Sequence, residues 1–278
     1  MNVNFDEALQ DRVLPTGSLQ RKTYVASNRF QVRKGKDAKF DQRWANRKSR
    51  LAQLDGFRFF TLLKRVDAFG AKYESEADNY VSYTIWQTKD NFNEWRTGEA
   101  FKEAHGGGGI LDFMRLISTA LFIIKGSPKP AFFDGIAQGT NGVAVKRLME
   151  ELEVSGGWRT VVADGEREVS ADVFVASRKF TVNEIDRVAF ETSMGAAINT
   201  STSNDVLFCN LLRRDADKSD DGFNYSLLVF FSDRGAFESF RKSDSYVSLF
   251  SSNSGSSSTD VFYDGKLALF SSDMLAST

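Results

Sequence analysis

Between Tyr24 and Arg33 the chain alternates. Tyr24, Ala26, Asn28, Phe30 and Val32 fall on one face, and Ser27, Arg29, Gln31 and Arg33 on the other. That period of two predicts a strand with one polar intruder, Asn28, on its apolar face. From Lys36 to Leu54 the spacing becomes helical, with Phe40, Trp44 and Leu51 as the stripe and Gly56 just past the end. Strands follow over Phe57 to Lys64 and Asn79 to Trp86. Asn91 to His105 reads as a helix broken at Thr97 and Gly98 and stopped by Gly106 to Gly109. Apolar stretches from Leu116 and from Ala131 read as closing strands.

The same pattern then returns. Val25 to Val32 (VASNRFQV) recurs as Val175 to Val182 (VASRKFTV), and Phe59 to Arg65 (FFTLLKR) as Phe208 to Arg214 (FCNLLRR). Asn79 and Tyr80 recur as Asn224 and Tyr225, Trp86 to Trp95 as Phe231 to Phe240, and Phe132 to Gly135 as Phe262 to Gly265. Ordered segments with a slowly drifting offset mean a duplicated domain, not a solenoid. Each copy has the order strand, helix, strand, strand, helix, strand, which is a ferredoxin-like α+β unit. The division expected is an N-terminal extension over residues 1–22, a first domain over 23–138, a linker over 139–170 and a second domain over 171–278. The linker carries an amphipathic helix with Val145, Leu148 and Leu152 on one face. Ser251 to Ser258 reads as a solvated low-complexity loop.

Composition narrows the chemistry. The 278 residues carry 36 Lys+Arg against 37 Asp+Glu, a net charge of −1 that provides no electrostatic footprint for nucleic acid. A single cysteine, Cys209, excludes an internal disulfide and a cysteine zinc cage, and is expected as a core filler. The single histidine, His105, excludes a multi-histidine metal site. The longest apolar runs fall far short of the roughly 20 residues that span a bilayer. The first twenty residues contain Asp6, Glu7 and Asp11 and no apolar stretch of the kind a signal peptide needs. A soluble protein without membrane insertion is expected.

The copies differ where chemistry would sit. Asn28 becomes Arg178, Trp95 becomes Phe240 and His105 becomes Phe250. The segment TIWQTKDNFNEWRTGEAFKEAH (Thr84 to His105), with Asn28–Arg29–Phe30, Lys34–Gly35 and Gly56–Phe57, resembles the IsdG-type heme-degrading monooxygenases of the antibiotic-biosynthesis-monooxygenase (ABM) superfamily. The resemblance covers about residues 24–110, and the tandem arrangement is similar to that of heme oxygenases of green algae. It implies two ABM domains forming an intramolecular pseudo-dimer β-barrel, the first catalytic and the second a structural scaffold, so that the chain is a monomer. It implies heme b as substrate and cofactor, O₂, an external electron donor and iron release. His105 would be the axial ligand to heme iron, Asn28 a distal amide that hydrogen-bonds oxygen bound at the iron, and Trp95 a wall pressing on the porphyrin. Trp44 is a further candidate lining residue from the first helix. The compartment implied is cytoplasm or chloroplast stroma.

The residues themselves are compatible with this chemistry. A neutral imidazole is a strong ligand for heme iron, and Asn28 supplies an N–H donor whose burial is costly if unmet. Two other functions stay open. A heme-binding or buffering protein would use His105 equally well, and a cofactor-free ABM monooxygenase acting on an aromatic substrate would not need it. A chlorite-dismutase-like reading is disfavoured, because its ligand is expected in the second copy, which has no histidine.

Overall fold

Every period-two segment inside the described residues pairs antiparallel with its neighbours. The computed structural model describes residues 14–45, 51–67, 78–104, 122–151, 173–201, 205–215, 221–250 and 256–271. The first half contains β1 (Thr23–Phe30), α1 (Asp37–Ala45), β2 (Phe57–Val66), β3 (Tyr80–Trp86), α2 (Lys89–Thr97), α3 (Glu99–Ala104) and β4 (Lys129–Thr140). Helix α4 (Gly142–Glu151) follows. The second half contains β5 (Phe174–Val182), α5 (Arg187–Thr200), β6 (Val206–Arg214), β7 (Tyr225–Phe231), α6 (Arg234–Phe240), α7 (Asp244–Phe250) and β8 (Ser256–Phe270).

The strands close into one barrel in the order β1-β3-β2-β8-β5-β7-β6-β4. Each half supplies a four-stranded ferredoxin-like sheet, β4-β1-β3-β2 and β8-β5-β7-β6. The two sheets join edge to edge through β2 with β8 and β4 with β6. A lone sheet of this kind would expose two edges; here each edge strand of one half covers one of the other. The expected pseudo-dimer barrel is therefore present within a single chain.

Alternation along the strands creates three apolar layers. Val25, Phe59, Leu63, Tyr83, Phe133 and their second-half counterparts Val175, Phe208, Leu212, Leu228 and Tyr263 fill the barrel. Phe208 and Phe230 stack at 4.1 Å, with Phe59 edge-on to both at 5.1 and 5.5 Å. The other two layers lie outside the barrel, under the helices of each half. Asn28 and its apolar neighbours face outward, toward α1 and α2. The opposite face of β1 turns into the barrel, which buries Ser27 and Arg29; Arg29 pairs there with Asp221 at 3.1 Å.

The repeated asparagines are structural clamps. Asn79 donates to Val32 O at 2.9 Å and accepts from Val32 N at 2.7 Å. Asn224 makes the same pair with Val182, at 2.7 and 2.9 Å. Gly56 (φ +71°) fits only without a side chain, because a Cβ there would sit 2.2 Å from Asn91 Oδ1.

Several expectations need correction. The first helix does not reach Leu54 as α-helix: among the described residues α1 spans Asp37–Ala45, and Leu51–Gln53 is a 3₁₀ turn. The segment from 139 to 170 is not simply a linker. Gly139 and Thr140 complete β4, and α4 corks the barrel, with Val145 fully buried in its interior. Asn141 fixes the start of α4, accepting from Ala144 N at 3.1 Å and donating its own N–H to Leu207 O. Ser256–Ser258 is not a loop but the start of β8, paired with Phe180–Val182. The strand expected from Leu116, and Gly106 to Gly109, lie outside the described residues. Residues 18–22 strap the N-terminal extension to the second half: Leu19 N–H donates to Glu191 Oε2 at 2.7 Å, and Arg213 donates to Leu19 O at 3.0 Å.

Candidate active site

The outer face of the first-half sheet can be read row by row from its register. Tyr24 lies beside Trp86 on one side and Asp134 on the other. The next row contains Phe132, Ala26, Thr84 and Phe60, and the one after it Pro130, Asn28, Ser82 and Leu62. Phe30 and Tyr80 form the last. The end rows are aromatic, whereas Ala26, Asn28, Ser82 and Thr84 make a strip of small and polar side chains between them.

The helices cover the ends and flank the strip. From α1, Phe40 packs on Phe30 and Tyr80 at 5.3 and 4.8 Å, and Trp44 stacks on Phe60 at 5.5 Å. From α2, Phe92 packs on Tyr24 at 5.4 Å and on Phe132 at 5.6 Å, and Trp95 lies 5.4 Å from Trp86. Thr88 caps α2 by accepting from Asn91 N at 3.1 Å. Gly98 ends α2, as the sequence predicts, and its N–H donates to Trp95 O. A Cβ at Gly98 would meet Glu94 O at 2.8 Å, so the break before α3 sits where a larger residue does not fit.

Trp44 and Trp95 are therefore brought to opposite flanks of the strip that contains Asn28. Both are half-buried, as is Asn28, whose side chain has no hydrogen-bond partner among the described residues. Thr84 Oγ1 donates to Ala26 O at 3.3 Å. His105 lies outside the described residues; α3, which leads to it, ends at Ala104.

The second half closes the same place. Ser82 and Thr84 correspond to Leu227 and Val229, which with Ala176 are no more than 1 % exposed. Trp44 corresponds to Met194 and Trp95 to Phe240, both buried. Ile198, Phe237, Leu249 and Phe250 complete an apolar fill. Arg178, in place of Asn28, turns to Ser258 at 3.0 Å and Asp260 at 3.3 Å. The repeat contained the signal for Ser82 and Thr84, since aligning it sets hydroxyls in one copy against Leu and Val in the other.

A buried charged group underlies the α2 end of the strip. Lys89 Nζ lies 2.9 Å from Asp215 Oδ2, both nearly buried, and 5.6 Å from the centre of the Tyr24 ring. Lys89 thereby holds the Asp215 carboxylate beside the Tyr24 phenol. Burial, first, and then the neighbouring carboxylate push its pKa well above the usual tyrosine value. Burial also raises the pKa of Asp215, against the pull of Lys89. Asp215 belongs to the second half and reaches across through its N–H to Phe132 O at 2.9 Å. Nothing in the strand periodicity marks it, because the contact depends on how the two sheets join.

A tandem α+β barrel with a polar strip flanked by tryptophans on one half and an apolar fill on the other defines the class. A family model described as antibiotic biosynthesis monooxygenase matches residues 23–107. A heme oxygenase (staphylobilin-producing) of Staphylococcus saprophyticus is 31% identical over 84 residues, which is 30% of this chain and 74% of that protein. The chain belongs to the antibiotic biosynthesis monooxygenase superfamily, among its IsdG-like members. In fold it is similar to candidate monooxygenases of Fusobacterium nucleatum (TM-score 0.56, 11% identity) and Lactobacillus acidophilus (TM-score 0.57, 11% identity). Those matches cover 91% and 90% of this chain and 96% of each of the others, so the likeness in fold extends through both halves. Among the described residues no helix is long and apolar enough to cross a membrane.

Proposed function

We propose that the chain is a heme-degrading monooxygenase that takes heme into the first-half cleft and opens the porphyrin with O₂ and an external electron donor. The observation that carries this reading is the 31% identity to a heme oxygenase over 84 residues, beside a family match over residues 23–107, the half that contains Asn28, Trp44 and Trp95. The cleft suits a flat, largely apolar ligand. Its floor of Ala26, Asn28, Ser82 and Thr84 is made of small and polar side chains, and Trp44 and Trp95 offer broad apolar flanks.

Heme bound there supplies the iron that activates O₂. His105 would hold the heme iron through its neutral imidazole, and its place in the sequence after α3 would tie ligation to the α2–α3 break at Gly98. Asn28 would offer its amide N–H to the bound ligand's oxygen atoms. Trp95 and Trp44 exclude water and constrain the ring between them. The second half, filled by Met194, Ile198, Phe240 and Phe250, acts as scaffold. With both sheets in one chain no second copy is needed to close the barrel, and we assign a monomer with one heme per chain.

The test is a hemin titration followed by absorbance on wild type, His105→Ala and Asn28→Ala, with ascorbate then added in air. One saturable Soret band per chain, bleached by ascorbate in wild type, absent or shifted in His105→Ala and persistent in Asn28→Ala, is the expected result. Bound heme that survives every reductant tried would leave a carrier or sensor. Absence of specific binding would overturn the heme reading in favour of a cofactor-free monooxygenase.

A further inference from the structure

Three oxidisable rings lie in succession at the first-half site. Trp95 lies 5.4 Å from Trp86, and Trp86 is the direct cross-strand neighbour of Tyr24 on the same face. Phe92 fills the angle between them, 5.4 Å from Tyr24, 6.3 Å from Trp86 and 5.8 Å from Trp95. Lys89 Nζ lies 5.6 Å from the centre of the Tyr24 ring and 2.9 Å from Asp215 Oδ2, which sets a carboxylate beside Tyr24.

The second half retains the packing and loses the redox chemistry. Phe174, Phe231 and Phe240 replace Tyr24, Trp86 and Trp95 around Phe237, with centroid distances of 4.9, 5.4 and 5.3 Å along the set. Val66 stands where the repeat places Asp215, and Arg234 where it places Lys89. Phenylalanine and valine therefore satisfy this architecture. Shape alone does not explain the first-half residues, and neither does stability. The indole Nε1–H of Trp86 is buried without a hydrogen-bond partner among the described residues, which costs about 1–3 kcal/mol. A buried ion pair such as Lys89–Asp215 is often no better than an apolar pair in its place. The first half accepts these costs beside the polar strip, where oxidants would arise.

We propose that Trp95, Trp86 and Tyr24 form a one-electron conduit that drains oxidising equivalents from the cleft to Tyr24, with the Asp215 carboxylate taking the phenolic proton. The proposal rests on the oxidative reading of the cleft for the source of its oxidant, a one-electron oxidising equivalent derived from O₂ or peroxide. That oxidant takes one electron from Trp95. Trp86 restores Trp95, and Tyr24 restores Trp86. In the last transfer the Tyr24 O–H bond breaks, an O–H bond forms on Asp215, and a neutral phenoxyl radical remains. An external one-electron donor reduces the radical while Asp215 returns the proton. Tyr24 stays protonated at neutral pH, so its oxidation requires a proton acceptor. Asp215, which Lys89 holds beside the Tyr24 ring, is the neighbouring carboxylate placed to serve. The conduit spares the cleft lining from oxidation when substrate or reductant is short.

Pulse radiolysis of the ligand-free protein with azidyl radicals, which oxidise tryptophan in preference to tyrosine, tests the conduit without heme. In wild type the tryptophanyl absorption should decay into tyrosyl absorption at a rate independent of protein concentration. Tyr24→Phe should abolish that tyrosyl phase, Trp86→Phe should remove its fast component, and Asp215→Asn should leave the hole on tryptophan. Phe174 and Phe231 occupy the equivalent second-half positions, so the two phenylalanine variants are expected to fold, and thermal melts verify it. A tyrosyl yield in Tyr24→Phe equal to wild type would overturn the proposal, as would a rate unmoved by both Trp86→Phe and Asp215→Asn. Because the probe is azidyl, failure of hemin binding leaves this result standing, and failure here leaves the hemin titration standing.

Discussion

Transplanting the second-half floor into the first half should close the site without harming the fold. In Ser82→Leu/Thr84→Val both side chains stay on the outer face of β3, where Leu227 and Val229 already sit in the other copy. Thr84→Val removes one long hydrogen bond, 3.3 Å to Ala26 O, a loss of about 0.5–1 kcal/mol. Burial of its new methyl group offsets most of that. Ser82→Leu adds three carbons, and if they settle on Leu62 and Asn28 they contribute roughly 2 kcal/mol of burial. The folded state should therefore be unchanged or more stable by about 1–2 kcal/mol, which in a chain of this size raises the melting midpoint by a few degrees. A ligand lying on the strip meets those same carbons as overpacking, at about 1–3 kcal/mol, or roughly five- to 150-fold in Kd. The assay is calorimetric melting beside hemin titration. A variant that melts like wild type and binds hemin with undiminished affinity would refute the placement of the site in this cleft.

Other perturbations probe the scaffold. Asn79→Ala and Asn224→Ala each strip two hydrogen bonds from one strand end, and each should cost about 1–3 kcal/mol in denaturant unfolding; equal costs would confirm that the repeated residue does one job twice. Arg213 donates to Glu191 and to Asp134, both at 3.0 Å, so Arg213→Met should cost about 3–5 kcal/mol by taking the paired cation from buried Glu191, while Asp134 keeps Arg21 at 2.7 Å. Burial pushes the Asp41 carboxyl from 3.8 up to about 6. Its protonated form is therefore favoured by folding: the contribution is complete below pH 3.8 and is lost as pH rises to about 6. Asp41→Asn should remove that slope and make the protein more stable than wild type at pH 7, by on the order of 2 kcal/mol. Stability measured across that window checks the sign.

The amino-acid pattern by itself determined the duplicated α+β units, the break at Gly98, the outward face bearing Asn28 and the asymmetry between copies. All of these rest on local periodicity, on turn residues or on comparing one copy with the other, and such signals lie within a few residues of the position they describe. It also misled locally. The apolar stripe through Leu51 suggested helix where a 3₁₀ turn stands, and the serine run hid the start of β8 because pairing with Phe180–Val182, not composition, makes it a strand. Only the tertiary structure decided that β2 joins β8 and β4 joins β6, that Val145 corks the barrel and that Leu19 is held by Glu191 and Arg213. It alone put Asp215 of one half beside Tyr24 and Lys89 of the other. The physical reason is common to all of these: hydrogen bonds and ion pairs between distant segments form only when the sheets close, and no periodicity within a segment records a partner supplied by another.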